Sequence, residues 1–406
     1  MTSPLAILAG GGSSPKGGSG SGASFNTYIP PKNDRTQPNA GDEYTKDLLK
    51  WFLKVDGRLN RKIDLRRTDP SDPTSPFGLF AMEDVYGKEL IMSVPRKTFL
   101  TAENIEEGTE LIESALPCET AFHLIEEMEK GNSSEFSGYV QFLKHQTTTL
   151  PSAWSDTGKE LLHKVIEELP PDDATTWIEH EWYEECKGEK DVDKENAALM
   201  LISRGWDYVM IPMLDVMNHR NGNYYNTYSD KINDNSKDVL QVRAQRRIMV
   251  GEQIFTSYNM CDDCDARKQN YGTPEILRDY GFVEDYPQRW IFDDILQFEI
   301  QDTSEIWEED ETKIHRLKEA TTDDLELVWL GNEEKGPEDK EFLEVELERL
   351  MNLKQAEFEQ AKLSVPKMEL DIIVQYHDAL TNALSMAIDS LPNFEDESSG
   401  EVQEEL

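Results

Sequence analysis

Ile211-Pro-Met-Leu-Asp-Val-Met-Asn-His-Arg220 is the stretch on which the fold of this chain turns. Ile211, Met213, Leu214, Val216 and Met217 make a near-continuous apolar run, the pattern of a core strand covered on both faces. Asn218, His219, Arg220, Asn221, Gly222 and Asn223 follow without a break. A polar cluster directly after a buried strand puts side chains and free backbone groups at the mouth of a core. An ordinary strand-to-turn exit has the same pattern, so the flanking sequence has to decide between a site and a plain turn.

Downstream, Asp238 to Ala244 alternates as a half-buried strand, with Val239, Gln241 and Arg243 on one side and Leu240, Val242 and Ala244 on the other. A Gly251-Glu252 turn leads into Gln253-Ile-Phe-Thr-Ser-Tyr258, where Ile254, Thr256 and Tyr258 share a face and a tyrosine closes the strand. Then comes Tyr271-Gly-Thr-Pro-Glu-Ile-Leu-Arg-Asp-Tyr-Gly-Phe-Val283. Thr273 suits a helix cap, Pro274 the first helical position and Gly281 the end. Upstream, Phe77-Gly-Leu-Phe-Ala81 and Glu89-Leu-Ile-Met-Ser-Val-Pro-Arg-Lys97 read as short strands joined near Tyr86-Gly87. Ala197, Leu199, Met200 and Ile202 give a helix that delivers Ser203 and Arg204.

The order and spacing of these pieces resemble the SET-domain methyltransferases, in the branch typified by the Rubisco large-subunit and actin-histidine methyltransferases. The resemblance covers roughly Tyr44 to Trp290. It implies an α+β class: a SET-domain β-fold with a helical insertion at about 98–202, followed by a mostly helical C-terminal domain. The β-fold is expected to wrap small sheets around a threaded C-terminal segment. The expected division is a Gly/Ser/Pro-rich disordered tail over 1–41, the SET domain over 42–290, a helical, substrate-binding domain over 291–392, and an acidic tail over 393–406. Helix patterns are expected at Leu111–Leu116, Thr120–Glu129, Phe136–Lys144, Gly158–Glu168 and Ala174–Cys186. After Trp290 they recur at Phe342–Ala361 and Met368–Leu391, where the chain is read as acidic and helical.

Composition narrows the partners. With 41 basic and 81 acidic residues the formal net charge is -40, a surface that repels phosphate backbones and anionic lipid. Nucleic acid and membranes are therefore not expected partners, and a basic protein substrate is; the chain is expected to be a monomer. No apolar run approaches the ~20 residues of a membrane span. Four cysteines, Cys118, Cys186, Cys261 and Cys264, are too few for a disulfide scaffold in a chain this long. That points to a reducing compartment, cytoplasmic or nuclear, with a plastid left open. Cys261-Asp-Asp-Cys264 has metal or redox spacing, but a zinc site needs further ligands, and no metal is expected.

The resemblance implies S-adenosyl-L-methionine as cofactor and a protein N-methyltransferase activity. Such a reaction depends on aligning nitrogen, methyl and sulfur and on presenting an unprotonated amine. Burial in an aromatic channel beside a cation lowers an amine pKa, which accounts for tyrosines in place of a conventional base. Tyr258 is expected to orient the amine and Tyr280 to wall the channel; the competing reading is a pair of buried core tyrosines. Phe77, Gly78, Leu79, Arg204, Asn218, His219, Tyr258 and Phe282 are the expected cofactor contacts. Arg204 would take the carboxylate, and the Phe77–Leu79 backbone would lie against the cofactor. Pro76 stands where the family usually has the first of two glycines, and it removes a donor there. Trp206, two residues after Arg204, matches the aromatic of lysine-methylating relatives, where histidine-methylating ones carry Asn. Trp206 and Tyr280 are thus the expected substrate contacts, and lysine the expected target. Histidine methylation, and a non-catalytic SET-like scaffold, remain the alternatives.

Overall fold

The computed structural model describes residues 43–102, 117–146, 148–206, 208–232, 237–260, 271–303, 324–331 and 333–393. The tail over 1–41, the pattern at Leu111–Leu116, Asp207, Cys261, Cys264 and the acidic tail after Asn393 lie outside them.

Two small sheets, with the two-stranded pair β5 (Gly205–Trp206) and β6 (Val209–Met210), carry the N-terminal half. One has the order β1 (Arg58–Leu59), β4 (Leu90–Pro95), β9 (Val239–Ala244), β8 (Thr227–Ser229), all antiparallel. The other has β2 (Ile63–Arg67), β3 (Phe77–Ala81), β10 (Gln253–Thr256) and β7 (Asn218–His219); its last pair is parallel, with Phe255 opposite Asn218. β9 buries Leu240, Val242 and Ala244, as its alternation predicts. β10 stops at Thr256, two residues short of the tyrosine expected to close it.

The decisive stretch is buried as expected, but it is not a strand. Met213 is left-handed at φ 70°, and Leu214–Val216 form a 3-10 turn. The polar pair read as the turn, Asn218–His219, is the strand β7. Asp215 supplies the physical reason. A strand would align Asp215 with Met213 and Met217 on one apolar face. The three-residue turn separates it from them and lets it meet polar partners.

Helices enclose these sheets. Glu43–Lys54 buries Leu48, Leu49, Trp51 and Phe52 and packs on Ser137–Leu143. A Cβ at Gly138 would lie 2.2 Å from the Trp51 Cβ, so only glycine permits this approach. Pro117–Lys130 and Val192–Arg204 pack together. The expected helix over Ala174–Cys186 is narrower and wider-turned, a π-helix over Ile178–Glu185. Cys118 and Cys186 are joined by a disulfide, which the expectation of a reducing compartment did not foresee. Their two helices both pack on Val192–Arg204, which brings the sulfurs together.

A second apolar core gathers Trp290, Phe298, Leu343, Leu350, Ile373, Tyr376, Leu380 and Leu384. It is built from the helices Pro337–Ala356 and Lys367–Ser390 together with a sheet that the sequence reading missed. That sheet is antiparallel, β11 (Gln288–Ile291), β12 (Gln297–Asp302), β13 (Leu325–Trp329). The helix Asp156–Ile166, expected within the insertion, also packs here, against Lys367–Ser390. Glu369 receives hydrogen bonds from the Ser155 backbone (3.1 Å) and hydroxyl (2.6 Å), which ties that helix start to the C-terminal helix.

Candidate active site

The helix Thr273–Tyr280 brings the last part of the site to the sheets. Its cap is Gly272, one residue before the expected Thr273, because the Glu275 carboxylate accepts the Gly272 N–H at 2.7 Å. It ends at Gly281 with φ 74°, where the left-handed turn suits glycine. Leu277 faces the second core, while Tyr280 and Phe282 turn toward β7 and β10.

A buried polar knot fixes this arrangement. His219 Nδ1 accepts the Tyr258 N–H at 3.0 Å, so Nε2 carries the ring proton and donates to Glu284 at 2.7 Å. Glu284 also accepts from Asn221 (3.1 Å), Asn259 (3.2 Å) and the Thr273 hydroxyl. Ser257 donates to Asn221 at 2.8 Å. His219 therefore acts here as a strut between β7, the segment after β10 and the segment after the helix.

Tyr258, Tyr280, Phe282 and His219 form an aromatic wall. The Tyr258 and Tyr280 ring centroids are 4.5 Å apart, and His219 lies 5.0 Å from Tyr258 and 5.9 Å from Phe282. The Tyr258 hydroxyl donates to the Met217 carbonyl at 2.8 Å. Burial, and then the neighbouring Tyr280, push the phenol far above its usual range, so it is a neutral hydrogen-bonding group at physiological pH.

Arg204, at the end of its helix, donates to the Asp215 carbonyl at 3.2 Å and lies 3.7 Å from Oδ2 of the same residue. Oδ2 accepts the Tyr139 hydroxyl at 2.7 Å. The Asp215 side chain is 1% exposed, and burial raises its carboxyl above the ordinary value against the opposing pull of Arg204.

A cavity of about 760 Å³ collects most of the expected cofactor contacts: Phe77, Arg204, Asn218, His219, Tyr258 and Phe282 line it, with Tyr280. Gly78 and Leu79 stand behind this wall. Leu79 is fully buried, and a Cβ on Gly78 would come within 2.4 Å of the Gln253 amide and 2.9 Å of the Asn218 amide. The glycine thus makes room for those two side chains. Asn218 uses its amide to bond the Phe77 carbonyl at 3.1 Å. Sequence reasoning missed Asp215, Gln253 and Glu284. For Asp215 there was a signal, a lone charge inside an apolar run; for Glu284 there was none.

A second cavity of about 340 Å³ also touches Tyr280. Trp177, Tyr208 and Tyr271 give it aromatic surface, and Asp173, Glu181 and Asp279 give it carboxylates. Trp206, the expected substrate contact, lines neither cavity; it is half-buried and packs on the N-terminal core. Tyr208, two residues on and held at φ 65°, reaches the second cavity.

Three residues that line the larger cavity carry a buried polar atom with no hydrogen-bond partner among the described residues, and they test its fit to a cofactor. These atoms are Asp215 Oδ1, Arg220 Nε and Gln253 Nε2. The first is an acceptor and the other two are donors, so the wall suits a ligand with a cationic donor and an acceptor. Both features belong to the amino-acid end of S-adenosylmethionine, and Arg204 suits its carboxylate.

Residues 76–259 match the SET domain. No curated protein matches the sequence. Among solved structures, the SET domain of LSMT bound to lysine and AdoHcy is similar at 14% identity and a TM-score of 0.48, covering 86% of this chain and 91% of that one. Rubisco LSMT bound to sinefungin and monomethyllysine is similar at 14% identity and a TM-score of 0.49, with 86% and 91% covered. Rubisco LSMT bound to AdoMet gives 13%, 0.46, 85% and 91%. The chain carries a SET domain over residues 76–259.

Proposed function

We propose that this protein is an S-adenosylmethionine-dependent protein N-methyltransferase of the Rubisco large-subunit methyltransferase branch, and that its target is lysine. The observation that carries the reading is Tyr280, which walls two cavities at once, a large one with Arg204, Asn218 and His219 and a smaller one rich in carboxylates and aromatic rings. The first suits the cofactor and the second a cationic side chain. S-adenosylmethionine, when bound, supplies a methyl group on a cationic sulfur.

The residues of this chain account for the rest. Arg204, Asn218 and the backbone beside Phe77 hold the cofactor, and His219 braces the wall through Glu284. Asp173 and Glu181 attract a cationic substrate to the mouth, where Asp279 is already paired with Arg278, while the rings beyond favour the neutral amine. Tyr258 and Tyr280 narrow the passage and exclude water. Because its phenol stays protonated, Tyr258 works by orientation and not as a base. Its hydroxyl is directed by the Met217 carbonyl. The preference for lysine rests on Tyr208, Trp177 and Tyr271, whose faces suit a methylene stem and an ammonium, in place of Trp206. A basic substrate also suits the net charge of -40.

Tritiated methyl transfer from S-adenosylmethionine into a cell lysate, followed by identification of the modified residue, tests the reading. Label on lysine is expected. Label confined to histidine overturns the target, and no label from a folded sample that also binds no S-adenosylhomocysteine overturns the enzyme. Tyr258→Phe is expected to lower kcat on the order of 100-fold with near-normal cofactor affinity.

A further inference from the structure

We infer that the Asp215 carboxylate is a cofactor-binding group that reads the α-ammonium of the cofactor, so that Arg204 and Asp215 together recognise an amino-acid zwitterion. This rests on the methyltransferase reading of the same cavity.

Four observations converge on Asp215. Its side chain is 1% exposed, yet it belongs to a residue that lines the larger cavity. Only one of its oxygens is engaged, Oδ2 by the Tyr139 hydroxyl at 2.7 Å. Oδ1 has no hydrogen-bond partner among the described residues. The Arg204 guanidinium is too far for a tight ion pair, at 3.7 Å from Oδ2, and spends its one hydrogen bond among the described residues on the Asp215 carbonyl.

A buried carboxylate oxygen without a donor is costly, and a site that keeps one has a use for it. The missing partner must be a cation or strong donor, because an ionised carboxylate can only accept. It must also arrive through the cavity. Arg204 stands beside Asp215 with most of its guanidinium nitrogens uncommitted, so an anion is expected to reach the cavity next to that cation. A ligand bearing –COO⁻ and –NH₃⁺ on one carbon satisfies both groups together. Burial raises the Asp215 pKa in the ligand-free protein, and an ammonium on Oδ1 would pull it back down. The turn Leu214–Val216, started by the left-handed Met213, takes Asp215 out of line with the apolar Met213 and Met217.

Calorimetric titration of the full chain with three ligands tests this: S-adenosylhomocysteine, its analogue without the α-amino group, and its analogue without the carboxylate. The wild-type protein is expected to bind the deaminated analogue roughly 10-fold or more weakly than S-adenosylhomocysteine. Asp215→Asn keeps an acceptor for Tyr139 and is expected to bind S-adenosylhomocysteine and the deaminated analogue alike, while still rejecting the decarboxylated one. Equal wild-type affinity for the deaminated analogue overturns the inference without any variant. So does a folded Asp215→Asn protein that discriminates as the wild type does. No binding of S-adenosylhomocysteine to the wild type removes both this inference and the methyltransferase reading, whereas binding without discrimination removes this one alone.

Discussion

Glu284 and Asp215 are both buried acids beside the same aromatic wall, and they are treated in opposite ways. Glu284 accepts hydrogen bonds from His219, Asn221, Asn259 and Thr273, a full set for a carboxylate. Asp215 has the Tyr139 hydroxyl on one oxygen, a loosely placed guanidinium, and nothing among the described residues on the other oxygen. The difference separates holding from binding. Where three chain segments must stay together, the polar groups satisfy one another. Where a ligand has to enter, one group is left wanting.

Stability measurements can break that contrast. Glu284→Ala takes the acceptor from His219, Asn259 and Thr273 and leaves Asn221 only the Pro287 carbonyl at 3.3 Å, and is expected to cost about 3–5 kcal/mol in urea denaturation. A loss under ~1 kcal/mol would mean the knot is dispensable. Thr273→Val removes one hydroxyl from the Glu284 carboxylate at constant shape, with an expected loss of about 1.5–3 kcal/mol. Tyr376→Phe is the control from the second core, where the hydroxyl donates once to the Pro170 carbonyl at 2.9 Å; about 0.5–1.5 kcal/mol is expected.

Asp215→Asn should show the smallest effect, about 0–1 kcal/mol at pH 7 and not necessarily a loss, because it removes a charge that was poorly compensated. A cost above ~2 kcal/mol would place Asp215 beside Glu284 as a structural acid. The pH dependence carries a definite sign. The folded-state pKa of Asp215 is raised, so its burial penalty is fully present above that value. The penalty fades as pH falls from the raised value to the ordinary 3.8, and the wild type gains on the Asn variant through that window.

What the sequence disclosed follows from how local each signal was. Strands β3, β4 and β9 and the helix ending in Arg204 announced themselves through their periodicity. Arg204, Asn218, His219, Tyr258, Tyr280 and Phe282 were read from motif order, and they meet around one cavity. Glu284 stayed hidden because its partner His219 is 65 residues away, and nothing near either residue reports the other. Asp215 was legible as an oddity, but extended geometry was the wrong frame for it. β12 was passed over although Phe298 and Ile300 alternate with Gln297, Glu299 and Gln301, because the acidic surroundings suggested helix. Trp206 lines neither cavity, whereas Tyr208, two residues on, reaches the second.

The disulfide between Cys118 and Cys186 closes the intervening chain into a covalent ring, with a sequence separation of 68. Within that ring lies the helix Asp156–Ile166, whose apolar face is sunk in the second core. A single protease cut between the two cysteines would therefore open the ring without dividing the polypeptide. On a denaturing gel the nicked protein would run as one species until a thiol is added, and as two pieces afterwards.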